Sequence, residues 1–109
     1  MTKLSTHIKS ARTANRLSLK GLAVRTQLTP SYLSKIETDS LEYAPKESAL
    51  IAIANALSLD ADELVFLAGK LPEKYQDFVS NNSANMKNLF DKISKEDGFI
   101  EQCLSVEYE

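Results

Sequence analysis

The sequence predicts an all-α fold, and three observations carry that expectation. Apolar residues recur at helical spacing along nearly the whole chain. No segment alternates polar and apolar residues for long, as a half-buried strand would. The three Gly and three Pro fall at positions where helices would start or stop.

Helix 1 is expected from about Lys3 to Asn15, because Leu4, Ile8 and Ala11 stack at i, i+4 and i+7. Ser18 is the expected N-cap of helix 2, residues 19–26, with Leu19, Leu22 and Ala23 facing inward. Gln27-Leu28 forms a short turn. Thr29 then caps helix 3, and Pro30 takes its first position, where the missing N–H costs nothing. Tyr32, Leu33 and Ile36 follow. Residues 38–44 show no helical face and are expected to be a loop. Pro45 is expected to open helix 4, with Leu50, Ile51, Ile53, Ala54 and Leu57 as its apolar residues. Asp60 with Glu63 makes a capping-box pattern before Leu64, Val65, Phe66 and Leu67, and Gly69 suits the stop.

Five helices thus end near Ala68, and roughly forty residues remain. Pro72 is expected to start helix 6, with Tyr75, Phe78 and Val79 on one face. Ser80-Asn81-Asn82-Ser83 is the most linker-like stretch. Helix 7 holds Met86, Leu89, Phe90 and Ile93. Asp97-Gly98 breaks it, and Phe99, Ile100, Cys103 and Leu104 are candidates for a short last helix. The expected organisation is a domain over residues 1–69 and a helical extension over 70–109, with no internal repeat and no low-complexity segment.

Composition excludes several classes. No apolar run approaches the ~20 residues that span a bilayer, and the N-terminus lacks the apolar stretch of a secretory signal. Cys103 is the only cysteine, so neither an internal disulfide nor a cysteine metal cluster is expected, and a reducing cytoplasm is the simplest location. His7, the only histidine, has no ligand partner at metal spacing and reads as a surface helix residue. Asp60, Asp62 and Glu63 read as a helix start, not a metal site. Catalysis is not expected: there is no Gly-rich phosphate loop, no His-Glu-x-x-His and no nucleophile elbow.

Charge is distributed unevenly. Lys3, Lys9, Arg12, Arg16, Lys20, Arg25 and Lys35 all precede the first acid, Glu37. The formal net charge of −2 conceals +7 over the first 36 residues and −9 over the rest. A basic block that reads as folded helix is an electrostatic footprint for a polyanion. Inside it, two short helices meet at a tight turn, and the second opens on small polar residues. That is the architecture of a helix-turn-helix, whose second helix enters the major groove of DNA. Reading bases needs short hydroxyl and amide side chains at that helix start, and Thr29, Ser31, Tyr32, Ser34 and Lys35 supply polar groups there. Tyr32 could equally be a core residue. Cations supply most of the affinity through phosphate, and Lys9, Arg12, Arg16, Lys20 and Arg25 are the candidates. Arg25 could also be plain surface.

At this point residues 8–68 resemble the five-helix, lambda-repressor-like DNA-binding domain of the phage repressor and Cro-type (XRE) family. The matching residues are Leu17-Ser18-Leu19, Leu22-Ala23, Tyr32-Leu33-Ser34-Lys35-Ile36-Glu37, Pro45, Leu50, Ile53-Ala54, Ala56-Leu57 and Asp62-Glu63-Leu64. The resemblance covers a little over half the chain. It implies base contacts from Thr29, Pro30, Ser31 and Lys35, and phosphate contacts from Ser18 and Lys20. It also implies an ion pair between Arg12 and Glu37. The sequence departs from the family at Arg16 and Gln27, where Gly is frequent. A left-handed conformation at either would cost about 1 kcal/mol relative to Gly. The loop 38–44 is longer than usual and carries Asp39 and Glu42, which weakens the expectation of phosphate contact there. Tyr43 and Lys46 remain candidates.

Tyr75, Phe78, Val79, Met86, Leu89, Phe90 and Ile93, with Phe99, Ile100 and Leu104, are too many apolar groups for free tail helices. Either they pack back on the same domain or they form a dimer interface, and the first seven are the interface expected here. The expected function is a dimeric, sequence-specific transcriptional regulator, a repressor reading an inverted repeat of double-stranded DNA without a cofactor or metal. The alternative is an antitoxin-like interaction protein that binds a toxin or peptidase through its C-terminal helices and autoregulates its operon. No membrane association is expected in either case.

Overall fold

The computed structural model describes residues 2–95. Its elements, in order, are α1 (Lys3–Ala14), α2 (Leu19–Thr26), α3 (Pro30–Glu37), α4 (Glu47–Leu57), α5 (Ala61–Leu67), α6 (Glu73–Asn81) and α7 (Ser83–Lys95), with no strand among the described residues. The expected break at Asp97-Gly98 and the apolar group Phe99, Ile100, Cys103 and Leu104 lie outside the described residues. The chain divides into two compact units, Met1–Pro72 and Glu73–Glu109.

In the first unit, Ile8, Leu22, Leu33, Leu50, Ile53, Leu64 and Val65 are fully buried in one core. These are positions from all five helices, one side of each, so the core is closed by amphipathic faces and not by any single apolar helix. Packing runs α4 on α5, α2 on both α3 and α4, and α1 on α3. The helix starts follow capping chemistry. Thr2, Ser18, Thr29 and Asp60 each sit at an N-cap, and each side chain accepts an amide three residues on.

The helix ends share a second device. Leu17 N–H donates to Arg12 O, Ser40 to Lys35 O, Leu59 to Ala54 O and Lys70 to Val65 O, so α1, α3, α4 and α5 all close with the same six-to-one bond. That closure needs a left-handed residue. Gly69 supplies it after α5, but Arg16, Asp39 and Ser58 supply it after α1, α3 and α4, and Gln27 is left-handed after α2. Outside glycine this conformation costs about 1 kcal/mol per residue, so both departures from the family pattern at Arg16 and Gln27 are paid in backbone strain.

Three expectations about boundaries need correction. Pro45 does not open α4. Lys46 is the N-cap with extended backbone, and α4 starts at Glu47. Pro45 is buried, and its carbonyl accepts Lys70 Nζ at 2.9 Å, so tertiary packing holds it outside the helix. The first unit likewise runs past Gly69 to the buried Pro72, and α6 starts at Glu73. Nor is Ser80-Asn81-Asn82-Ser83 a linker. Asn82 alone separates α6 from α7: its N–H and its Nδ2 both donate to Phe78 O, and its own carbonyl accepts Met86 N–H at 2.9 Å. A short amide side chain that can bond the preceding turn makes the interruption one residue long.

The second unit, over its described residues, buries nothing fully. Tyr75, Phe78, Leu89 and Phe90 are exposed, with Phe78 at 59% and Phe90 at 62%, while Val79, Met86 and Ile93 are half-buried. Their spacing of three and four residues puts a band of apolar residues along α6 and α7.

Candidate nucleic-acid interface

The α2–turn–α3 segment is held by hydrogen bonds that its own sequence provides. Ser18 Oγ accepts Gly21 N–H at 2.9 Å, and Thr29 Oγ1 accepts Tyr32 N–H at 3.1 Å. Each hydroxyl keeps its own proton for a further acceptor. Between the two helices, the buried Thr26 donates its hydroxyl to Leu22 O at 2.8 Å and accepts Leu28 N–H at 3.3 Å. It thus spans the left-handed Gln27 and fixes the turn where a glycine is absent. The sequence reading missed Thr26. A hydroxyl in the last turn before a tight corner was the available signal.

On α3, Leu33, Ile36 and Glu37 are buried. Thr29, Pro30, Ser31 and Lys35 are exposed, Ser34 is half-buried, and Tyr32 is half-buried against the core. Tyr32 therefore serves packing with its ring, and it also lines a surface depression with Gln27, Leu28, Thr29, Lys46, Ser48 and Ala49. That depression lies between the start of α3 and the start of α4, whose N-cap Lys46 makes no side-chain cap bond. A helix start beside a cation suits an anionic oxygen. Lys9, Arg16, Ser18, Lys20, Arg25, Tyr43 and Lys46 are all exposed, Tyr43 at 82%.

Arg12 differs from those residues. Its Nε donates to Glu37 Oε2 at 2.7 Å, its Nη2 to Glu37 Oε1 at 2.9 Å, and its Nη1 to Leu17 O at 2.7 Å. The side chains are 15% and 5% exposed. The bond to Glu37, opposed by desolvation and helped by the opposite charge, raises the Arg12 guanidinium above its ordinary value. Arg12 is thus engaged inside the unit by three of its five N–H donors, and Nη1 and Nη2 each keep one further N–H. The same pair removes Glu37 from the charge balance, so Lys3, Lys9, Arg16, Lys20, Arg25 and Lys35 stand in α1–α3 and its turns with their charge undiminished by the first acid of the chain.

A family model described as helix-turn-helix matches residues 8–64, more than half of the chain. The chain belongs to the phage repressor and Cro-type (XRE) helix-turn-helix family. In this XRE-type DNA-binding regulator, α2 and α3 are the two helices of the motif. A solved structure described as the SinR protein/SinI protein complex is similar over 96% of this chain and 94% of that chain, at 21% identity and a TM-score of 0.54. At that identity the likeness is one of fold. No curated protein matches the chain significantly. Among the described residues, no group of His, Cys, Asp and Glu could hold a metal ion, and no helix is long and apolar enough to cross a membrane.

Proposed function

We propose that this XRE-type regulator is a dimeric repressor that reads an inverted repeat. Each copy places α3 in the major groove, and occupancy of the operator excludes polymerase. The carrying observation is the recognition helix itself, with Thr29, Pro30, Ser31 and Lys35 on its exposed side and Leu33, Ile36 and Glu37 buried on the other. Lys35 and the small hydroxyls read base edges, with Ser34 at the margin of that surface. Lys9, Arg16, Ser18, Lys20, Arg25, Tyr43 and Lys46 hold the phosphates. Occlusion requires neither cofactor nor catalysis.

Dimerisation is supported by a size argument and by the second unit. One helix-turn-helix reads only a few base pairs, too little to single out a site in a genome. The apolar band of Tyr75, Phe78, Val79, Met86, Leu89, Phe90 and Ile93 is the surface we assign to the two-fold interface. A second reading uses the same band differently. The solved structure of similar fold is described as a complex of two different proteins, which favours a heterologous protein partner, such as a toxin or a peptidase, with DNA binding kept for autoregulation. Selection of bound DNA from a random pool, followed by footprinting and sedimentation, separates these. A dimer protecting two half-sites about one helical turn apart supports the repressor. A monomer at tens of micromolar protecting one half-site refutes the dimer and leaves the partner reading. Failure to enrich any sequence refutes sequence-specific binding itself.

A further inference from the structure

Asp39 is the residue that closes the recognition helix. It occupies the left-handed position at φ 56°, with its N–H directed to Ile36 O at 3.3 Å and the following Ser40 N–H to Lys35 O at 2.8 Å. Glycine fills this role at the end of α5 without strain. Aspartate visits this region more readily than most residues, and at this position its side chain also has partners far along the chain.

Its carboxylate reaches across the chain to the start of α1. Oδ2 accepts Thr2 N–H at 2.8 Å and Oδ1 accepts the Thr2 hydroxyl at 2.8 Å. The buried Ser5 hydroxyl lies 3.2 Å from Oδ2 and 2.9 Å from Thr2 O, so its single proton serves one of them at a time. Thr2 is itself the N-cap of α1, accepting Ser5 N–H at 3.1 Å. The hydrogen bonds run in relay, from the Ser5 amide to the Thr2 hydroxyl to Asp39, and each bond polarises the next. The negative charge also sits at the positive end of the α1 dipole. Two residues earlier, Glu37 takes the fork of Arg12 in the last turn of α1. The end of the recognition helix is thus tied to both ends of α1.

We infer that Asp39 is a positioning residue for DNA recognition: the carboxylate at the end of α3 is clamped to the first turn of α1 and, with the Arg12–Glu37 pair at the last turn, fixes the angle at which the recognition helix is presented. The inference rests on the DNA-reading role given to α3 above. It explains the strained aspartate and the buried Ser5 together. The competing account, in which Asp39 is a turn residue whose charge merely repels phosphate, makes a prediction of opposite sign.

The test compares the full chain with Asp39→Gly, Asp39→Asn, Thr2→Val and Thr2→Ser on selected and scrambled DNA. Removing one negative charge near a polyanion site raises affinity for any DNA. Loss of the clamp instead lowers affinity for the selected site by about tenfold, the scale of part of one base contact, while scrambled DNA binds unchanged or tighter. Thr2→Val is expected to reproduce that selective loss, Thr2→Ser to restore the parent behaviour, and Asp39→Asn, which keeps one oxygen acceptor, to fall between. Parallel tightening on both DNAs for Asp39→Gly overturns the inference. A stability readout is independent of DNA: Asp39→Gly and Thr2→Val should be non-additive in urea midpoint, and the Ser5 amide should exchange faster in either. If the parent chain selects no DNA, the DNA reading fails by itself. Strict additivity with unaltered Ser5 exchange refutes the clamp whatever the DNA result.

Discussion

Breaking the Arg12–Glu37 pair from one side is expected to cost the first unit a large part of its stability. Truncating Glu37 to Ala leaves the Arg12 Nε and Nη2 donors without their acceptors in a side chain that is 15% exposed. Breaking a buried ion pair from one side costs about 3–5 kcal/mol, since the remaining charge is left desolvated. The residual exposure of Arg12, and the bond its Nη1 keeps to Leu17 O, place the loss at the lower end, about 3 kcal/mol. A unit of this size shifts its midpoint by roughly 4–8 °C per kcal/mol, so Glu37→Ala should melt about 12–24 °C below the parent. The assay is urea and thermal unfolding of the parent, Arg12→Ala, Glu37→Ala and the double variant. The second substitution should cost far less than the first, because the charge that made the first expensive is gone. Additivity within about 0.5 kcal/mol would mean that the two side chains do not stabilise one another in solution.

Four further outcomes follow from the interface and its supports. Lys35→Ala should cost about 1–3 kcal/mol on the selected site and relax preference at one or two base pairs; equal loss on scrambled DNA in binding titrations would move Lys35 out of the readout set. Lys20→Ala should weaken all DNAs alike and flatten the slope of log affinity against log salt by about one, which titrations at several salt concentrations measure. A chain ending at Pro72 should fold, sediment as a monomer and lose most of its preference for an inverted repeat, because the second half-site no longer binds intramolecularly; retention of full operator affinity would assign the second unit another task. The Thr2 hydroxyl and amide hold the Asp39 carboxyl below its ordinary value. A lowered folded value means that the contribution is complete above the ordinary aspartate value of about 4 and is lost as pH falls through the lowered one. The stability difference between parent and Asp39→Asn should therefore narrow on acidification, and a difference constant from neutral to strongly acid pH would argue against the linkage.

Local chemistry made α2 and α3 legible in the sequence to the residue. Ser18, Thr29 and Pro30 act within their own first turns, and a side chain bonding an amide three residues on is visible in a linear string. Pro45 shows where that reading fails. Proline is compatible with a helix start, but what holds it outside α4 is burial and a bond from Lys70, 25 residues away. Asp39 fails for the same reason: its partners, Thr2 and Ser5, precede it by 37 and 34 residues, so the sequence offered only its charge and its nearness to the recognition helix. A basic run does not reveal which member is engaged internally; for Arg12 it is the family resemblance that implies the pair with Glu37. Asn82 shows the limit of composition: four small polar residues resemble a linker, whereas the hydrogen bonds of Asn82 to Phe78 and Met86 continue the helical pattern past a single residue.

Among the described residues, four non-glycine residues are left-handed, and they turn the helix ends into a controlled series. Arg16, Gln27, Asp39 and Ser58 carry the same backbone strain but different side-chain duties. Ser58 follows α4, outside the α2–α3 motif, and its side chain is exposed, so Ser58→Gly isolates the backbone term. Glycine relieves about 1 kcal/mol of strain but widens the unfolded ensemble by about 0.4–1 kcal/mol, which leaves a net gain of at most about 0.6 kcal/mol. Gln27→Gly should gain a similar amount, because Thr26, not Gln27, bonds across the turn. Arg16→Gly should gain stability as well, yet it removes an exposed cation and should weaken every DNA equally. Stability and affinity then move in opposite directions in one variant, which separates the cost of the conformation from the use of the charge. Asp39→Gly is the exception expected in the series, since the relief of strain is set against the loss of the bonds to Thr2. Urea midpoints for the four single variants decide the matter. If Ser58→Gly destabilises the chain, the left-handed position carries no such strain. If Asp39→Gly stabilises as much as Ser58→Gly does, aspartate at that position contributes nothing beyond its backbone, and the tie between the recognition helix and α1 has no energetic weight.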